Sequence, residues 1–340
     1  MRAAEGDQAG FAPRLDRKEP GKADAEEHAP MVDEGPSAVG DILGRSCVVR
    51  LPGSTMTDAA ELLLAENRTA AAVVDERGEV VGALTENDIL QAFAIGLPKG
   101  YQVEAWLHGE FARLPNFVAQ ALTVDSKSSL QDAASLMRAQ ASGDFACHHL
   151  LVKDGAKARG ILSALDLTRA LCQGIRRRHS DFARRFTYKT TADVMKPRAS
   201  LPICEHAATM CQVAQEMLLA RQNCVLVAAA DGVAELAHIS GMVTPRDILR
   251  AFAAQTPGST SAVEWLQGLD SYWELRAVRC DALLGQAADI MSANGVHHLV
   301  VVAPPASPAV RDVERIRVVG IVSSTDLAYN IGAKEDDQKQ

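Results

Sequence analysis

The chain has 340 residues, 47% apolar and only 4% aromatic, enough for one large or two ordinary domains with cores of Ala, Val, Leu and Ile. A net charge of −8 excludes a general nucleic-acid or membrane-surface binder. The seven cysteines (47, 147, 172, 204, 211, 224 and 280) form no CxxC pair. With no apolar leader, and no apolar run long enough to span a bilayer, they read as reduced thiols in a soluble cytoplasmic protein.

In chain order, residues 1–36 are polar, rich in Gly and Pro, and read as a disordered tail carrying five basic and nine acidic side chains. The first unit, 37–98, opens with the amphipathic piece "VGDIL" and carries a helical stripe in "MTDAAELL". The β-branched run "AAAVVD" follows, then a turn, a second strand and the string "GALTENDIL" (82–90), which hands over to a helix. The second unit, 99–175, repeats this order with "VEAWL", "LQDAASLM", "HHLLVKD" and "GILSALDLT". Residues 176–188 include a basic cluster, Arg176, Arg177, Arg178, Arg184 and Arg185, which reads first as a solvated extension of the preceding helix. The third unit, 189–256, has "TADVM", "MCQVAQEM", "CVLVAAADG" and "GMVTPRDIL"; the fourth, 257–332, has "AVEWL", "LGQAADIM", "HHLVVVA" and "GIVSSTDLA". A polar tail, 333–340, ends the chain.

Each unit is thus strand, helix, strand, strand, helix, with the last two strands spaced for an antiparallel pair. The signature glycines lie 159 residues apart in units one and three (82, 241) and 160 apart in units two and four (160, 320). A pair of units was duplicated whole, which groups them as one-plus-two and three-plus-four.

Within the four strings the interior varies ("EN", "AL", "PR", "ST") while a hydroxyl and an acid are constant: Thr85/Asp88, Ser163/Asp166, Thr244/Asp247 and Ser323/Asp326. Helix capping explains the hydroxyl well and the acid less well. A hydroxyl and a carboxylate three residues apart can face one cleft and suit the vicinal diol of a ribose, whose two hydroxyls the acid can accept. Ribose binding is the preferred reading.

These strings resemble the motif of CBS domains, named after cystathionine beta-synthase, and the resemblance covers 37–332. It implies an α/β fold class, built of α+β repeats, with four CBS units in two Bateman modules that form a pseudo-symmetric disc. The arrangement is similar to that of gamma subunits of AMP-activated protein kinase. It further implies that clefts between units bind adenosine nucleotides (AMP, ADP or ATP), with the Ser/Thr and Asp on the ribose. For the phosphates, His148 and His297 match the family histidine, and His149 and His298 stand where the gamma pattern has arginine. Units one and three offer only Arg68 there. Histidine is mostly neutral and makes one bond, so weaker binding is expected than with arginine, strongest in clefts involving units two and four. The "CHH" and "HH" clusters lack a third ligand at metal-binding spacing.

No catalytic motif stands out, and the repeats account for the whole folded length. The expected function is that of an adenosine-nucleotide-binding regulatory or sensor protein, not an enzyme, with the nucleotide as regulatory ligand and no required cofactor. Its target would be a separate chain, whether a kinase, another enzyme or a transporter, and self-association as a homodimer is compatible with this. The competing expectation is a CBS-repeat scaffold that no longer binds nucleotide.

Overall fold

The computed structural model describes residues 37–44, 48–109, 122–140, 148–155, 157–177, 188–228, 235–269, 275–304 and 316–331. The two tails and Arg178, Arg184 and Arg185 of the basic cluster lie outside them, and of Arg176 and Arg177 only the helical backbone is described.

Unit one comprises α1 (Val39–Ile42), β1 (Val48–Arg50), α2 (Met56–Ala65), β2 (Ala70–Val74), β3 (Val80–Thr85) and α3 (Glu86–Ala94). Unit two comprises α4 (Val103–Leu107), β4 (Thr123–Asp125), α5 (Leu130–Gln140), β5 (His149–Asp154), β6 (Lys157–Ser163) and α6 (Ala164–Arg177). Unit three opens with a 3₁₀ turn (Thr191–Asp193) and continues through β7 (Lys196–Pro197), β8 (Ile203–Glu205), α7 (Met210–Ala220), β9 (Val225–Ala228), β10 (Ile239–Val243) and α8 (Pro245–Ala253). Unit four comprises α9 (Ala262–Gln267), β11 (Ala277–Arg279), α10 (Leu284–Asn294), β12 (His298–Val302), β13 (Val318–Ser323) and α11 (Ser324–Ile331). In every unit the first sheet strand pairs parallel with the second, across a helix, and the second pairs antiparallel with the third. This is the expected α/β repeat order.

The crossover helices share one buried stripe. Met56, Ala59, Ala60 and Leu63 in α2 correspond to Leu130, Ala133, Ala134 and Met137 in α5. Met210, Val213, Ala214 and Met217 in α7 correspond to Leu284, Ala287, Ala288 and Met291 in α10. Two large residues two helical turns apart flank a pair of smaller ones, so the helix sits close to its sheet; each large side chain contributes about 1.5–3 kcal/mol.

The opening piece of each unit packs on its neighbour, not on its own unit. Val39 and Gly40 donate to the carbonyls of Ser128 and Ser126 in unit two, and Val103 of unit two donates to Ser54 of unit one. Likewise Thr191 donates to Ala282 of unit four, and Ala262 donates to Ala208 of unit three. The exchange ties units one and two, and units three and four, into the two Bateman modules. It continues in β7, which leaves unit three to become the fourth strand of the β11–β12–β13 sheet. Sheets also meet within modules: β2 touches β6, and Leu226 and Ile239 share a core with Val300 and Ile321.

Between modules the contacts are helical. In unit one, α2 and α3 pack on α8, and α3 also on α7; α6 packs on α10 and α11, and α5 on α11. Unit one therefore faces unit three, and unit two faces unit four. The N-termini of the helices that follow the four strings converge where these crossings meet.

Candidate nucleotide site at the junction of four units

At each string the hydroxyl residue is the N-cap of a helix and the acid is its N3 residue. Thr85 donates to Asp88 Oδ2 through its backbone N–H and hydroxyl, both at 2.7 Å. The corresponding pairs of bonds are 2.9 and 2.7 Å in Ser163/Asp166, 2.9 and 2.7 Å in Thr244/Asp247, and 2.8 and 2.6 Å in Ser323/Asp326. The constant acid is thus part of a capping box, a role the spacing already announces.

Capping alone does not require what happens next. At Thr55/Asp58 the same box lies at the surface, and bonds from Thr55 hold the Asp58 carboxyl below its ordinary range. Burial instead pushes Asp88, Asp247 and Asp326 above theirs, despite the same capping bonds. These acids sit inside at a cost that a cap does not need.

A cavity of about 370 Å³ opens at the junction and takes residues from all four units. Ser163, Asp166, Thr244 and Asp247 line it, as do Arg68, His148, His149, His297 and His298. Thr85/Asp88 and Ser323/Asp326 are not among its lining residues. The first of these pairs is closed by the protein itself, because the Trp106 indole in α4 donates to Asp88 Oδ1 at 3.1 Å. In unit three the equivalent oxygen, Asp247 Oδ1, takes Arg250 at 3.0 Å. The unused donor at each place is left over: Gln91 Nε2, three residues beyond Asp88, and Trp265 Nε1, in the helix equivalent to α4, are buried without a partner among the described residues.

Two of the four histidines, His148 and His149, bridge units. His148 bonds Thr325 through Nδ1 at 2.7 Å and Asn223 through Nε2 at 2.6 Å, and His149 Nε2 bonds Thr69 at 2.8 Å. With the Asn223 amide donating to Nε2, the proton of His148 resides on Nδ1 and is donated to Thr325. Burial above all pushes His148 and His297 down to about 4 and His149 and His298 to about 3, with Lys196 beside His148 and His298, Arg169 and Arg246 beside His297, and the other imidazoles beside His149 acting in the same direction. They meet a ligand as neutral hydrogen-bonding groups. Ser163 Oγ donates to Asp166 and so is not activated by a histidine.

The positive charge comes from residues that sequence reasoning passed over. Arg169, Arg246, Arg250 and Arg276 join Arg68 in the lining, against the carboxylates of Glu86, Asp166 and Asp247, a surplus of two positive charges. Arg250 pairs with Asp247 at 3.0 Å, Arg246 with Glu86 at 2.9 Å, and Arg169 lies 3.9 Å from Asp166. Arg169 and Arg250 both stand three residues after a string acid, the one signal that would have found them. Arg68 lies against Gly44, where any Cβ would collide with its guanidinium. Among the described residues no group of three or more His, Cys, Asp or Glu is placed to hold a metal ion, and no helix is long and apolar enough to cross a membrane.

Known proteins resemble this chain in sequence and in fold. A curated relative, the uncharacterized protein MJ1426 of Methanocaldococcus jannaschii, is 35% identical over 54 residues, 16% of this chain and 32% of the relative, so the match spans about a third of that protein. Among solved structures, protein MJ1225 of Methanocaldococcus jannaschii, described as a candidate archaeal homolog of g-AMPK, is similar with a TM-score of 0.57. The two are 17% identical, and the alignment covers 86% of this chain and 98% of that one, a likeness of fold. The CBS domain protein PAE2072 of Pyrobaculum aerophilum, complexed with AMP, is 24% identical over 41% of this chain and 90% of its own, with a TM-score of 0.33. The family profile described as "CBS domain" matches residues 39–95, 117–173 and 274–333, half of the chain. Unit three falls outside those matches but repeats their order of strands and helices. The chain belongs to the CBS domain family.

Proposed function

We propose that the cavity binds an adenosine nucleotide and that the chain is a non-catalytic regulatory protein acting on a separate partner. The observation that carries this reading is the lining itself: two hydroxyl–carboxylate pairs face the same space as five arginines. In it the sugar diol is held at Ser163/Asp166 or Thr244/Asp247, and the phosphate is held by Arg68, Arg169, Arg246, Arg250 and Arg276. His148, His149, His297 and His298 contribute neutral hydrogen bonds, and a surplus of two positive charges matches the charge of a phosphate monoester. Because the lining comes from both modules (units 37–98 and 99–175; units 189–256 and 257–332), a ligand that contacts them unequally in two arrangements would bias their packing.

The test is calorimetric titration with AMP, ADP, ATP and S-adenosylmethionine. Saturable binding that weakens in Asp166→Ala and Asp247→Ala supports the reading. A scaffold without ligand is the second reading, favoured by the closed Thr85/Asp88 pair. Flat titrations on folded protein would establish it.

A further inference from the structure

Arg246 is the second residue of α8, and its guanidinium crosses into unit one. NH1 donates to Glu86 Oε1 at 2.9 Å and to the Arg68 carbonyl at 2.5 Å, and NH2 donates to Asn67 Oδ1 at 2.6 Å. Glu86 is the first residue of α3, its side chain 13% exposed against 18% for Arg246. Both line the cavity. Burial drives Glu86 up to about 7 even though Arg246 pulls the other way, so the carboxylate is poorly accommodated in its charged form.

The packing of repeats does not demand such a pair. At the sister crossing of units two and four, the corresponding helix starts carry Ala164 and Leu165 against Ser324 and Thr325. That crossing is bridged by neutral contacts, His148 to Thr325 and the Thr168 hydroxyl to the Ser324 carbonyl at 3.3 Å. The ion pair is therefore particular to the side where Arg246 enters the cavity.

We infer that Glu86 is a built-in anion that holds Arg246 until the ligand's phosphate replaces it, so that ligand entry exchanges a protein carboxylate for a phosphate and releases the start of α3 from α8. This inference rests on the nucleotide reading and adds its regulation. A phosphate offers a guanidinium more charge and more acceptor oxygens than a carboxylate, so the exchange runs toward ligand. The competition sets the threshold concentration at which the unit one–unit three contact loosens.

The experiment is titration of the full chain with AMP and with adenosine, comparing wild type, Glu86→Gln, Arg246→Ala and the double variant. Glu86→Gln is expected to bind AMP about tenfold more tightly while adenosine affinity stays within twofold. Arg246→Ala is expected to weaken AMP about tenfold, and the double variant should match Arg246→Ala because the competitor has nothing left to hold. Glu86→Ala carries the same expectation, so a folding failure of one variant leaves the other to decide. Unchanged AMP affinity in the Glu86 variants overturns the exchange and leaves nucleotide binding standing. Equal tightening of AMP and adenosine also overturns it, by assigning the gain to cavity shape. Wild type and variants that bind neither compound overturn the nucleotide reading and the exchange together.

Discussion

The carboxylate of Asp88 is taken up by Thr85 and Trp106 and does not line the cavity, whereas Asp166 and Asp247 line it, Asp247 with its second oxygen on a cavity arginine, Arg250. Asp88→Ala should therefore lower the melting temperature, through loss of about 1–3 kcal/mol of capping and indole bonding, without weakening AMP binding. Asp166→Ala and Asp247→Ala should each weaken AMP about tenfold or more in the same calorimeter, as loss of a charged hydrogen bond requires. Titration behaviour separates the buried bases from the buried acid. His149 and His298 are held near 3, so below 6.5 the unfolded chain takes up protons that the folded chain refuses. Their contribution is full above pH 6.5 and is lost as the pH falls, so the urea midpoint should drop more between pH 7.5 and 5.0 in wild type than in a His149→Asn/His298→Asn variant. Glu86 has the opposite sign. Raised to about 7, its contribution is full below 4.5 and lost as pH rises through 7, so Glu86→Gln should gain stability relative to wild type between pH 5 and 8. The hydroxyl–acid pairs were legible in the sequence because they are the constant positions. Glu86 and Arg246 were not, because they occupy the interior that varies between strings, and only the fold brings residues 160 apart to 2.9 Å.

At the level of elements, the crossover helices and antiparallel pairs were legible because their apolar periods are strong and repeated four times. The two-residue β7 was not: "KP" has no period, and its proline suits only a sheet edge, which is where it pairs with Gly320 and Ile321. That pairing also explains one signature glycine. A Cβ on Gly320 would overlap the Lys196 carbonyl, a backbone atom, whereas a Cβ on Gly241 would meet the movable end of Leu266 in α9. Gly320→Ala should thus cost about 1–3 kcal/mol, measured by urea unfolding, and Gly241→Ala clearly less. Nor could five-residue opening pieces reveal that each packs on its neighbour, since an amphipathic stretch specifies that it is covered, not by which unit.

On the scale of the molecule, the 159- and 160-residue spacings already implied two modules. They did not imply that the modules cross so that unit one faces unit three, which turns expected clefts between neighbours into a cavity shared by all four. A space of about 370 Å³ is at the small end of single-ligand sites, so calorimetry should return about one AMP per chain and not four. The traded opening segments bear on ancestry as well as on packing. A lone repeat cut from this chain would carry away the segment that covers its partner and lack the one that covers itself. Lineages of this architecture are therefore expected to gain and lose repeats in twos, the pair being the smallest heritable piece that keeps its own edges covered.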